Sequence, residues 1–230
     1  MAGWNRYRGE LVSTTIADKE FERLFSQFFS SSARKTTTYK YAYMKAIIDL
    51  VDELEIDGDV VSLPLKSVFE KFTEYYWQLV LKYGIKQKRG GGDSSIEKIL
   101  KDELFVEKES LPETLYDLEK AKKNKIIQKV SRECNRYVTG ALYEEFEGKL
   151  FAFNLHKSPL LWFDKNAILF IRHNKKKLLN SDLKAWASLL EDIETDSVKQ
   201  KIANEMEFGY IDSRVSVFWL LLSQLFINNP

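Results

Sequence analysis

Residues 35–54, "KTTTYKYAYMKAIIDLVDEL", place Tyr43, Ala46, Ile47, Leu50, Val51 and Leu54 at three- and four-residue spacing. That is the period of a helix with one apolar face. Arg34, Lys35, Lys40 and Lys45 fall within residues 34–45 with no acid among them, and Thr36, Thr37 and Thr38 lead into the helix. Two readings stay open. One is a threonine cap with solvated lysines; the other is an anion site, because a helix start offers unpaired N–H groups and a positive dipole end. At about 100° per residue Lys40 lies about 60° from Tyr43, beside the apolar stripe, so it must snorkel or meet a partner. Tyr39, Tyr41 and Tyr43 offer hydroxyls for phosphates or faces for stacked bases.

Downstream, Pro64 suits the first turn of a second helix. Its stripe runs through Leu65, Val68, Phe69, Phe72, Tyr76, Leu79, Val80 and Tyr83, widened by Tyr75, Trp77 and Leu81. This width predicts a central helix, stopped by Gly84. "IKQKRGGGDSS" then supplies Lys86, Lys88 and Arg89 on a glycine-rich loop. Helical patterning returns over residues 95–104 and from Pro112, with an expected break near "KAKKNK", where Lys122, Lys123 and Lys125 cluster. "GKLFAFNL" and "AILFIRH" read as a small β-hairpin over about 149–171. Ser181 or Asn180 is expected to cap "DLKAWASLLEDI", and "DSVKQKIANEMEFG" to form a helix ending at Gly209. The expected fold is mainly α, a multi-helix globular domain with a small β-hairpin. It divides into a helical lobe at 1–84, a basic loop at 85–95 and a second lobe at 96–230, or forms one domain.

Within 230 residues, the formal net charge of +1 hides basic blocks at 34–45, 86–89, 120–136 and 172–184. Blocks of this kind either coat helices or build a face that steers a polyanion. No apolar run approaches the about 20 residues a membrane span needs, and "MAGWNRYRGELVS" has no apolar signal core. The expectation is a cytoplasmic protein without cofactor, metal or membrane contact. The lone Cys134 lies on an apolar stripe, and His156 and His173 sit beside basic residues without a second ligand at metal spacing. Glu147 and Lys149 form a carboxylate-x-lysine triplet ahead of a strand, which chance also produces among 34 acids. No catalytic residue is assigned.

"ARKTTTYKYAYMKAIIDL", "FEKFTEYYWQLVLKYGIKQ" and "LKAWASLLEDI" together resemble the non-catalytic N-terminal region of bacterial HNH endonuclease proteins. That region has an R-K-T-x-T-Y-K start, a Y-Y-W helix followed by a basic glutamine loop, and a late W-A-x-x-L-E helix. The resemblance implies DNA recognition for restriction or phage defence, with a nuclease module expected after "LFINNP"; its cysteine, histidine and asparagine motifs do not occur in these 230 residues. Double-stranded DNA is the expected partner. Its phosphates would be held by Arg34, Lys35, Thr36, Thr38, Lys40, Lys86, Lys88 and Arg89, with Lys122, Lys123 and Lys125 extending the track. A competing reading makes the chain an interaction module. Its apolar last helix, through Trp219, Leu222 and Phe226, would dock a nuclease domain, a partner subunit or a second copy of itself.

Overall fold

The computed structural model describes residues 6–12, 16–30, 35–104, 112–156, 158–206 and 216–227. Arg34 and Gly209 lie outside the described residues. In chain order the elements are β1 (Arg8–Gly9), α1 (Asp18–Phe29), α2 (Tyr39–Leu50), β2 (Val60–Pro64), α3 (Leu65–Tyr76), α4 (Ser95–Leu104), α5 (Lys120–Glu145), β3 (Ala152–Asn154), β4 (Leu160–Asp164), α6 (Lys165–Ile193), α7 (Asp196–Glu205) and α8 (Val217–Phe226). The fold is mainly α. Buried apolar side chains from α1 through α8 form one contiguous cluster.

The centre of that cluster is α2. Tyr41, Ala42, Tyr43, Met44, Lys45, Ala46, Ile47, Ile48 and Leu50 are all buried, so this helix has no solvent face. Packing against α3, α5 and α6 closes it on all sides, whereas a single apolar stripe predicted an amphipathic helix. The expected width of α3 is present. Its buried face, Leu65, Val68, Phe69, Phe72, Tyr75 and Tyr76, continues through a π-helical turn at Trp77–Lys82 before the chain reverses at Gly84, where φ is +67°.

Two expectations from sequence are corrected. Thr38 does stand at the N-cap of α2, but its hydroxyl makes no cap bond. It turns inward to Tyr76 Oη and to Gln87 Oε1, each at 2.7 Å, because a buried hydroxyl must find partners and these lie in the core. The break expected near residues 120–125 falls at Leu118–Glu119, between a 3-10 turn at Leu115–Asp117 and the start of α5 at Lys120, from which α5 runs unbroken for 26 residues. "AILFIRH" is not a strand but part of the first three turns of α6, a single 29-residue helix capped by Asp164 Oδ1, which accepts from Asn166 N at 2.8 Å. Ala167, Ile168, Phe170 and Ile171 are buried, the helical spacing for a side facing the core. No new helix starts at Asn180 or Ser181 as a result.

The hairpin is therefore β3–β4, and it is the middle of a four-stranded antiparallel sheet in the order β1-β3-β4-β2. Ser62 pairs with Trp162, and Val61 and Leu63 point inward while their neighbours face out. Neither α1 nor the outer strands were anticipated. Among the described residues no helix is long and apolar enough to cross a membrane.

Candidate nucleic-acid interface

The two basic segments at the start of α2 and after α3 meet in space. Thr37 and Lys88 form an antiparallel bridge, flanked by Thr38 N donating to Gln87 O and Arg89 N donating to Thr36 O, both at 3.1 Å. Gln87 fastens the pair from beneath. Its fully buried side chain accepts from Thr38 Oγ1 and donates from Nε2 to Ile85 O at 2.9 Å. Residues 36–38 and 87–89 are thus held side by side, with Thr36 and Arg89 exposed. Gly90, Gly91 and Gly92 follow with φ of +86°, +73° and +66° and nothing within 4 Å of where a Cβ would stand. Only glycine adopts three such conformations in succession without strain.

A basin of about 400 Å³ opens beside this pair, lined by Lys35, Tyr41 and Arg89 and, from α6, by Ser181, Lys184, Ser188 and Asp192. Arg89 Nη2 meets Asp192 Oδ2 at 2.5 Å with both side chains about half exposed, 48% and 58%. An ion pair in that setting contributes about 0–1 kcal/mol, so an incoming phosphate competes with it on easy terms. Lys184 lies 5.6 Å from the Trp219 ring centroid.

The other nominated side chains have different surroundings. Lys35 is buried and donates from Nζ to Phe28 O at 2.7 Å, stacked 4.4 Å from the Phe28 ring and 4.9 Å from Tyr41. Burial lowers its ammonium below the ordinary lysine range, offset in part by Glu145. Lys40 meets the partner its angle demanded, Glu145 at 2.6 Å. Lys86 binds Asp93 at 2.5 Å. On α5, Lys123 binds Glu70 at 2.8 Å and Lys125 binds Glu103 at 3.1 Å, while Lys122 is part-buried on the same helix. At 1.5 Å per residue, Lys125 stands about 30 Å along α5 from Glu145, so the α5 lysines do not join the basin.

On α8, Phe218, Leu221 and Leu222 are buried against the core. Phe226 stacks on Trp186 at 6.0 Å and Trp219 is part-buried. His156 stacks on Tyr7 at 5.1 Å, and His173 is exposed on α6, away from the hairpin. Burial pushes the Cys134 thiol well up. Glu147, the one non-glycine residue with positive φ among the described residues, joins a closed ring of charges. Arg23 binds Glu20 and Glu147, each at 2.8 Å, and Lys149 binds Glu20 at 2.8 Å and Glu147 at 2.6 Å. Among the described residues no group of three or more His, Cys, Asp or Glu could hold a metal ion.

The ring has a pH consequence. Hydrogen bonds from Arg23 and Lys149 depress the Glu20 carboxyl from 4.5 to about 2. A depressed carboxyl stabilises the fold above its unfolded pKa, and that contribution fades as pH falls from about 4.5 through about 2. Glu20→Gln is expected to flatten the acid limb of the melting temperature against pH between those values. An unchanged acid limb would count against the ring.

Sequence reading missed Gln87, Lys184 and two buried titratable side chains, Lys45 and Asp182. Lys45 Nζ and Tyr75 Oη both donate to Asp49 Oδ2, each at 2.5 Å, and the ammonium lies 4.4 Å from the Tyr75 ring and 5.0 Å from Phe226. Asp182 is fully buried on α6, and neither carboxylate oxygen has a hydrogen-bond partner. Asp182 left one signal: it stands four residues from both Leu178 and Trp186, on the apolar face of a helix.

No curated protein and no solved structure matches the chain. A family model described as a domain of unknown function, DUF8808, matches residues 31–148, and the chain belongs to that family.

Proposed function

We propose that this member of the DUF8808 family holds the phosphate backbone of double-stranded DNA in the basin between residues 36–38, residues 87–89 and α6. The observation that carries the reading is the antiparallel pairing of the two basic segments beside Lys184. It brings the threonines of residues 36–38 beside Lys88 and Arg89, about 50 residues away in sequence. Arg89, Lys88 and Lys184 supply cations, Thr36, Ser181 and Ser188 supply hydroxyls, and Lys35 and Gln87 fix the backbone that presents them. Such contacts position a protein on a duplex without reading its sequence. The setting is that of the sequence resemblance: a cytoplasmic recognition region of an HNH-type restriction or phage-defence nuclease, with cleavage left to another module.

Each phosphate neutralised adds about 0.9 to the slope of log affinity against log salt. Arg89→Ala/Lys184→Ala is expected to lower that slope by about 1.8 between about 50 and 200 mM salt and to weaken duplex binding at least tenfold. Circular dichroism of the variant should match the parent, since both side chains are at the surface. A slope that stays the same, or that drops only in Lys122→Ala/Lys123→Ala, would move the DNA away from the basin.

A further inference from the structure

A cleft of about 730 Å³ lies far along α5 from the basin. It is walled by the start of α3, the outer face of α5 and the turn into β4, and its volume falls in the range of small-molecule sites. Pro64, Pro159 and Leu160 give it its accessible apolar surface, with Leu65 and Ile127 buried behind them. Lys66 and Lys125 stand at its sides, and no carboxylate lines it, in contrast to the basin with its Asp192. Asn124 and Gln128, one turn apart on α5, also face this space.

These polar groups are unspent. Among the described residues, the side chains of Lys66, Asn124, Gln128 and Ser131 make no hydrogen bond or ion pair, whereas neighbouring lysines such as Lys123 and Lys129 are paired with an acid. Lys125 does pair with Glu103, at 3.1 Å, but Glu103 is also held by Lys129, and the Lys125 side chain remains 62% exposed. Its ammonium has donors left over.

We propose that this cleft binds an adenine nucleotide, the base lying against Pro64, Pro159 and Leu160 and the phosphate between Lys66 and Lys125. The side-chain amides of Asn124 and Gln128 each present a donor and an acceptor, the pair of groups that reads the N6/N7 edge of adenine. A plain anion would leave the amides and the apolar surface without a role; a fatty acid would leave the amides facing hydrocarbon. The proposal does not depend on duplex binding in the basin.

The test is calorimetric titration of the full chain with AMP, ribose 5-phosphate and a 5′-phosphorylated single-stranded oligo(dA). Saturable AMP binding is expected, at least tenfold tighter than ribose 5-phosphate. Lys66→Ala/Lys125→Ala should weaken it at least tenfold, and Asn124→Ala/Gln128→Ala should abolish the preference over ribose 5-phosphate. Arg89→Ala/Lys184→Ala should leave it intact. AMP binding more tightly than the oligomer identifies a free nucleotide as the ligand, and the reverse order identifies a strand end. The proposal is overturned if neither AMP nor the oligomer saturates by about 5 mM, a range where any affinity is weaker than that of a specific site. Ribose 5-phosphate binding equally well, or loss of binding only in the Arg89/Lys184 variant, would overturn it too. All three variants alter surface side chains, and matching circular dichroism separates lost binding from lost folding.

Discussion

Lys45→Ala is expected to cost about 3–5 kcal/mol of folding stability, the usual penalty for removing one partner from a buried charge pair. The side chain is 2% exposed and ends among Asp49, Tyr75 and Phe226. Truncation leaves Asp49 without its ammonium and opens a cavity beneath two rings, two losses that add. Denaturant unfolding measures it directly. Lys45→Met, which keeps the stem and loses the charge, should recover much of the cavity share. An alanine variant within about 1 kcal/mol of the parent would remove Lys45 from the core, since buried truncations do not come that cheaply.

Asp182→Asn should move stability the other way. Burial raises the Asp182 carboxyl well above the ordinary range; Lys45 pulls it back, Asp49 raises it again and Lys35 opposes that. The folded state therefore keeps a proton that the unfolded chain releases near 3.8. Stability is lost as pH rises from about 3.8 towards the folded value, by up to about 1.4 kcal/mol per pH unit. The asparagine variant cannot titrate, so its advantage should grow from pH 4 to pH 7. Equal stability differences at the two pH values would show that the carboxyl is ionised in the fold.

The residues explain what could be read in advance. The three-four spacing of α2 and α3 is visible because each carries a long apolar series, and Gly84 punctuates the second. Lys45 was hidden by the same reading. It sits about 200° from Tyr43 around the helix, which is the outer face of an amphipathic helix, but α2 has no outer face. "AILFIRH" misled for a related reason. Ile, Leu and Phe favour strands, and a short apolar run has the same composition in a buried helix; the Asp164 cap was the local clue to the difference. The pairing of residues 36–38 with 87–89 has no local signature. Arg89 finds Asp192 about 100 residues away, and Lys123 finds Glu70 about 50 residues away. Opposite charges are common enough on any chain that only the fold selects which of them meet. Gln87 is the exception in kind: a glutamine amid lysines looks like surface, yet it is the buried clamp on which the basin depends.

Leu222→Ala separates the two roles open to α8. Leu222 is fully buried, as are Phe218 and Leu221 beside it, and the helix packs on α6 and α7. Its start is fixed by Ser216, which accepts from Trp219 N at 3.1 Å and donates to Glu191 at 2.6 Å. A leucine so placed should cost about 2–5 kcal/mol on truncation, and the loss should be the same at any protein concentration. If instead α8 serves a partner or a second copy, Leu222 contributes mainly across that contact. The stability loss would then be small in dilute solution and grow with concentration, because association stabilises by mass action. Trp219→Ala provides the internal comparison, being part-buried under Lys184. A large, concentration-independent loss at Leu222 with a smaller one at Trp219 makes α8 the last layer of the core, with only its Trp219 edge left to meet a neighbour. Phe226 ties that layer to the charges beneath it, since its ring contacts Trp186, Tyr75 and the Lys45 ammonium together. Loosening α8 should therefore expose Lys45 to water, and the Leu222 and Lys45 substitutions should be non-additive in a double-mutant cycle.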